Sequence, residues 1–219
     1  MRQILSILVI LLCIQTTRTY ARIPEEVQFV QMLNETLSKL ESNTSTDRLP
    51  VCVAELKRMS AMYPNEWIIY YYISLYEIQQ TFSNLSADNE DILNDAMANI
   101  NLLKRNKNAD KSEISTIEGY YYYAIIAKNP SKNGQIYYKN VLESYQKALK
   151  YNPKNPRAQL LLLMFRLKMS GFSGNNEENN FHDNLLEIEE LFQKETNSYL
   201  KPSWGENTLI ALKKTLSKN

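Results

Sequence analysis

The stretch "SYQKALKYNPKNPRA", residues 144–158, decides the fold. Tyr145, Ala148 and Pro153 stand at offsets 0, +3 and +8: an aromatic, a small residue and a helix stop. Positions three apart share a helix face, so Tyr145 and Ala148 look toward the same neighbour. Pro153 cannot continue the helix, and Pro156 suits the first turn of the next one. Upstream, Leu56, Met59 and Pro64 carry the same offsets. Ile100, Leu103 and Asn108 echo them, with Ala96 at the preceding small position. The spacing is 44 residues from Pro64 to Asn108 and 45 from Asn108 to Pro153. A recurrence of this length marks repeated supersecondary units.

The offsets match the positions that close a tetratricopeptide repeat, whose standard unit is ~34 residues. The surplus falls in two stretches rich in turn formers, "SNLSADNE" and "NPSKNGQI", expected as longer loops inside the hairpins. Only five glycines occur, and the long segments have helical rather than alternating periodicity. Val27, Val30, Leu33, Leu37 and Leu40 form one amphipathic stripe. The sequence predicts an all-α chain of stacked antiparallel helical hairpins, a TPR-like right-handed solenoid with nine helices or fewer and no strand. Hairpins are expected over 27–64, 66–108, 111–153 and 156–195, with a capping helix at 205–217. All belong to one domain, 22–219.

The N-terminus sets the expected compartment. Residues 1–21 open with Arg2, run apolar from Ile4 to Ile14 and turn polar before Thr19-Tyr20-Ala21. Small residues at Thr19 and Ala21 fit cleavage after Ala21, the outline of a secretory signal peptide. The apolar run is shorter than the ~20 residues a membrane span needs. Export to the periplasm is the expectation, with secretion or a lipid anchor at Cys13 as alternatives. Removing the segment leaves 23 basic and 24 acidic residues, a formal net charge of −1. Such a balance has no electrostatic footprint for nucleic acid. Cys52 then remains alone in the apolar "PVCVAEL", which reads as a buried, inert thiol. The sequons at Asn34, Asn43 and Asn84 arise easily in an Asn-rich chain.

No catalytic constellation emerges. The chain has one histidine, His182, and a metal site needs several ligands of suitable type. Asp183 beside it reads as the first turn of a helix, with acids placed against the dipole. No Gly-rich phosphate loop is present. Glu189 and Glu190 are adjacent on a helix and diverge, which suits solvation. The expectation is a protein that is not an enzyme and carries no metal or cofactor.

Four consecutive tyrosines, Tyr120–Tyr123, cannot share one helix face, since at 100° per residue they span about 300°. Ile114, Ile117 and Tyr121 fall on the packing face, continued by Ile125, with Ala124 and Gly119 small enough for close approach. Tyr120 sits at the edge of that stripe and is left unassigned. Tyr122 and Tyr123 then point to the concave side, with Tyr71 of the preceding hairpin and Arg157 and Lys168 of the next. These five are the candidate partner-binding residues. Against this stands the reading of the tyrosines as core, since an aromatic stripe at helical spacing is more often packing: the phenol buries much apolar area and needs one partner for its hydroxyl. Arg157 and Lys168 have the competing reading of ordinary solvated charges, the commoner case for isolated cations.

The segments "EWIIYYY", "EISTIEGYYYYAIIAKNPSKNGQIYY", "ALKYNPKNPRAQLLL", "GFSG" and "WGENTLIAL" resemble the signal-peptide-bearing, tetratricopeptide-like proteins of Bacteroidetes, especially flavobacterial ones. The resemblance covers most of residues 50–217. It departs at Ser131-Lys132-Asn133-Gly134, where relatives carry a turn followed by Arg-Gly. It implies a helical repeat in the cell envelope and no established activity. The functional expectation is a scaffold that contacts a protein or peptide partner, with no nucleic acid and no membrane span. The alternative is a small-ligand or glycan-binding protein using the tyrosine-lined groove. The two tryptophans, Trp67 and Trp204, are few for a glycan-stacking platform, which favours the protein partner.

Overall fold

The computed structural model describes residues 24–41, 48–86, 88–173, 181–196, 198–199 and 201–216. Residues 1–21, with Cys13, and Asn43 lie outside these. Among the described residues there are nine α-helices and no strand. They are α1 (Glu25–Glu41), α2 (Leu49–Met62), α3 (Trp67–Ser83), α4 (Glu90–Arg105) and α5 (Lys111–Lys128). Then come α6 (Pro130–Tyr151), α7 (Pro156–Ser173), α8 (Phe181–Gln193) and α9 (Glu206–Leu216). The chain divides into two compact units, residues 1–32 and 33–219. Of the first, the described part is the opening of α1, where Phe29 is buried. The second holds the rest of α1 and helices α2–α9.

Helix ends obey local chemistry. The Asp110 carboxylate caps α5 by accepting from Ser112 N (2.7 Å) and Glu113 N (3.1 Å). Asn155 caps α7, its Oδ1 accepting from Ala158 N at 3.1 Å, with Pro156 at the first helical position. α4 carries Glu90 and Asp91 in its first turn and Lys104 and Arg105 in its last, the order its dipole favours. α2 stops at Tyr63, whose N–H bonds back to Met59 O just before Pro64. The stretch "NPSKNGQI", expected as a loop, is instead the opening of α6. Asn129 ends α5 and begins α6, its Oδ1 accepting from Lys132 N at 3.2 Å. Pro130 follows at the first turn, and Asn133 Nδ2 ties back to Ile125 O at 2.7 Å. The surplus length of this hairpin is thus stored as a longer helix.

Two helices are central. α3 packs against α2, α4 and α5, and α5 against α3, α4, α6 and α7. Both are buried nearly all round, with Tyr71–Ile78 wholly buried in α3 and Ser112–Ile117 in α5. Their buried hydroxyls turn to backbone carbonyls, as Thr116 Oγ1 does to Ser112 O (2.8 Å) and Thr81 Oγ1 to Glu77 O (3.2 Å). The flanking helices bury one stripe each: Leu93, Ala96, Ile100 and Leu103 in α4, and Val141, Ser144, Tyr145 and Ala148 in α6. Cys52 is buried as expected; burial pushes its thiol pKa up.

Tyr145 and Ala148 lie in the interior, and the aromatic ring has a specific seat. It packs on Gly119 of α5, where an added Cβ would lie 2.6 Å from Tyr145 Cε1. Gly119→Ala should therefore destabilise the fold by ~1–3 kcal/mol through overpacking, against the ~1 kcal/mol that alanine gains in a helix interior. A denaturant midpoint equal to or above that of the wild type would contradict this contact.

Glu77 on α3 is a second sensitive point. It is buried and its Oε1 meets Lys57 Nζ at 2.8 Å, while Oε2 has no hydrogen-bond partner among the described residues. Burial pushes its carboxyl above the usual value of 4.5, although Lys57 pulls the other way. The folded state therefore holds this proton more tightly than the unfolded chain does. The resulting stability is complete below about pH 4 and is lost as pH rises through the raised value. Urea melts of Glu77→Gln and the wild type should diverge in favour of the glutamine variant as pH rises above about 4. A constant difference would remove Glu77 as the cause.

Candidate functional site

The polar centre of the molecule lies where α3, α5, α7 and the segment between α8 and α9 meet. Arg157, at the start of α7, is only 2% exposed. Its Nε donates to Glu113 Oε1 (3.1 Å), and Nη1 donates to Glu195 Oε2 (2.9 Å) and to the Trp204 carbonyl (3.1 Å). Nη2 completes a forked contact to Glu195. Glu113 Oε1 also accepts from Asn155 Nδ2 (3.0 Å), and Oε2 from the Tyr71 hydroxyl (2.8 Å). Tyr71 Oη accepts in turn from Trp204 Nε1 (2.9 Å). The neighbouring Tyr72 hydroxyl accepts from Ser203 N at 2.9 Å.

Electrostatics follow from this arrangement. Burial disfavours the charged guanidinium, but Glu113 and Glu195 outweigh it and hold the Arg157 pKa above the ordinary arginine value. Burial pushes the Glu113 carboxyl up, opposed by Arg157 and the Tyr71 bond. Burial first, and Glu113 second, raise Tyr71 well above an ordinary phenol. The proton thus stays on Tyr71, which lets it donate to Glu113 while accepting from Trp204.

These placements correct two expectations. Tyr71 and Arg157, expected on a concave partner-binding face, are interior residues with their polar atoms already engaged. Arg157 finds two carboxylates 44 and 38 residues away, so its charge is compensated inside the fold. Lys168 is exposed on α7, while Tyr122 and Tyr123 are half-buried.

Around the half-buried tyrosines the structure assembles an aromatic face. Phe82 of α3 stacks on Tyr120 (5.0 Å between centroids, 19° between planes), and Tyr120 on Trp204 (6.1 Å, 20°). Tyr123 stands edge-on to Phe82 (5.4 Å) and to Phe165 of α7 (5.2 Å). Tyr138 of α6 leans on Phe165 at 5.4 Å, and Tyr122 stacks on Tyr137 at 5.8 Å. Met164 and Met169 border the cluster. Phe82, Tyr120, Tyr123 and Trp204 are all partly exposed, and Tyr138 is 42% exposed. Tyr120, left unassigned by the sequence, is the middle ring of the stack. Phe82 and Trp204 were missed because nothing near either of them in sequence announces ring partners from distant segments.

Two other concavities are less distinctive. A cleft of about 480 Å³ between α8 and the α6–α7 turn mixes Lys154, Lys194 and Lys201 with Glu187, Glu190 and Glu195. A groove of about 200 Å³ is lined by Leu149, Leu162, Leu163 and Ile188 with Arg166. His182 is exposed on the first turn of α8, and no group of three or more metal-ligating side chains occurs among the described residues. Nor is any helix among them long and apolar enough to cross a membrane.

No protein-family model matches the chain, and no curated protein does. Among solved structures, it is similar to the HusA haemophore from Porphyromonas gingivalis, with a TM-score of 0.75 at 21% identity. The match covers 90% of this chain and 98% of that one. At this identity the likeness is one of fold, and it places the all-helical architecture beside that of a Bacteroidetes protein.

Proposed function

We propose that this chain is an exported, non-enzymatic binding protein that takes a flat, apolar ligand of the haem class on its aromatic face. The observation that carries this reading is the ring column Phe82–Tyr120–Trp204, drawn from three separate parts of the chain and left partly open. Aromatic faces favour stacked and edge-on contact with other π-systems, and an extended planar ligand gains most from several such rings at once. The haemophore named by the fold comparison suggests the ligand class. Tyr123 and Tyr122 supply further ring contact. Lys168, three residues beyond Phe165 on α7, supplies a cation for ligand carboxylates at the rim. Tyr71 and Arg157 contribute by holding the face rather than by touching the ligand. Burial raises the phenol pKa of Tyr120, Tyr122 and Tyr123, so these rings stay neutral at physiological pH and act through stacking.

A second reading, contact with a protein or peptide partner, is supported by exposed apolar side chains on α6. Ile136 and Tyr151 are 57% and 50% exposed.

Hemin titration separates the two. Binding should be saturable and quench tryptophan emission. Tyr138→Ala should weaken it about tenfold while leaving the thermal melt close to wild type, because this tyrosine is exposed. Tyr122→Ala combined with Tyr123→Ala should weaken it further. If the wild type shows no saturable hemin binding, the ligand reading fails and the protein-partner reading takes its place.

Export is tested separately. N-terminal sequencing of protein from the cell envelope should begin at Arg22. A chain that retains Met1 in the cytoplasm would overturn export, and a lipid-modified Cys13 would replace the soluble form with an anchored one.

A further inference from the structure

We infer that Arg157 is a positioning residue for the aromatic face: it fixes the Trp204 indole against Tyr120 from the core side. The inference rests on the haem-class reading for what the face binds, and on geometry for the rest. Trp204 is held through both its backbone and its ring. Its carbonyl accepts from Arg157 Nη1 at 3.1 Å, and its Nε1 donates to Tyr71 Oη at 2.9 Å. Tyr71 donates to Glu113 Oε2 at 2.8 Å, and Glu113 Oε1 accepts from Arg157 Nε at 3.1 Å. The bonds close a circuit from Arg157 through Glu113, Tyr71 and Trp204 back to Arg157.

The backbone on either side of the indole is seated too. Gly205 has φ +111°, a conformation that L side chains rarely adopt, and an added Cβ would lie 2.8 Å from Phe192 Cζ and 3.2 Å from Arg157 Cγ. Ser203 N is bound to the Tyr72 hydroxyl. Trp204 thus has little freedom in χ or backbone, and its ring plane lies 20° from that of Tyr120. A ring held in its binding orientation loses less conformational entropy when a ligand stacks on it. The planar fork of arginine suits this task because it serves Glu113, Glu195 and the Trp204 carbonyl at once.

Glu195 is the accessible handle on the circuit. Its side chain is 30% exposed, whereas those of Glu113 and Arg157 are almost wholly buried, and losing either buried partner would strand a charge. The chain has two tryptophans, so a Trp67→Phe background makes Trp204 the sole emitter. In that background Glu195→Gln should shift Trp204 emission to the red and increase its quenching by acrylamide. Hemin affinity should fall about five- to tenfold. Far-UV circular dichroism and a cooperative melt check that the variant is folded. Glu190→Gln, which removes an exposed pair with Lys194 one turn away, should change neither readout. If Glu195→Gln leaves either the emission or the hemin affinity unchanged, the positioning role is overturned. If the parent protein binds no hemin but the emission still shifts, the ligand reading falls while the fixing of the indole stands.

Discussion

The buried guanidinium of Arg157 is the constraint on which the rest of the structure depends. A cation at 2% exposure is tolerable only with partners, and here two carboxylates and a main-chain carbonyl converge on it. Those partners come from α5 and from both ends of the segment between α8 and α9, so satisfying one charge on α7 joins three stretches of chain. Glu113 extends the effect by drawing in Tyr71 and Asn155, which link α3 and the cap of α7 to the same centre. Replacing such a cluster by apolar side chains of similar volume need not destabilise a fold, whereas removing one member typically costs about 3–5 kcal/mol. What the cluster supplies is specificity of arrangement. Apolar helix faces can slide past one another, but a forked guanidinium has few alternative seats.

The helices were largely legible in the sequence, and the polar centre was not. Periodicity and stop signals locate α2, α4, α5 and α6 because those signals act within a turn or two: Pro64 after α2, Ile114 and Ile117 on the packing face of α5, Ala148 on the buried face of α6. The failure over "NPSKNGQI" is of the same local kind. Glycine and asparagine read as turn formers, yet Asn129 followed by Pro130 is also a way to start a helix, and the cap decides the outcome.

Arg157 was misplaced for a different reason. Its helical phase beside Lys168 suggests a shared solvated face, and nothing near it in sequence announces carboxylates at Glu113 and Glu195. Tyr71 fails in the same way, since its two partners lie 42 and 133 residues away. Tyr122 and Tyr123 were easier, because four consecutive tyrosines force some of them out of any single stripe. Yet Tyr123 gains its ring partners from Phe82 and Phe165 on other helices, and Trp204 reaches the face through a turn that depends on Gly205. A small hint was present in "WGEN", where glycine directly after tryptophan permits a left-handed turn that would aim the ring.

The bond between Trp204 and Tyr71 also bears on how the chain acquires its structure. Helical repeats commonly fold by nearest-neighbour addition, each unit needing only the one beside it, which keeps contact order low. Here α3 and the segment before α9 are joined across 133 residues, and the charge of Glu113 is matched only once Arg157 has arrived. An array built of local pieces thereby acquires one long-range closure. The early hairpins can form as synthesis proceeds, but their buried acid waits for the later ones. Completion of the C-terminal third is then coupled to the stability of the centre, and a chain that could melt from one end is bound into a more cooperative unit.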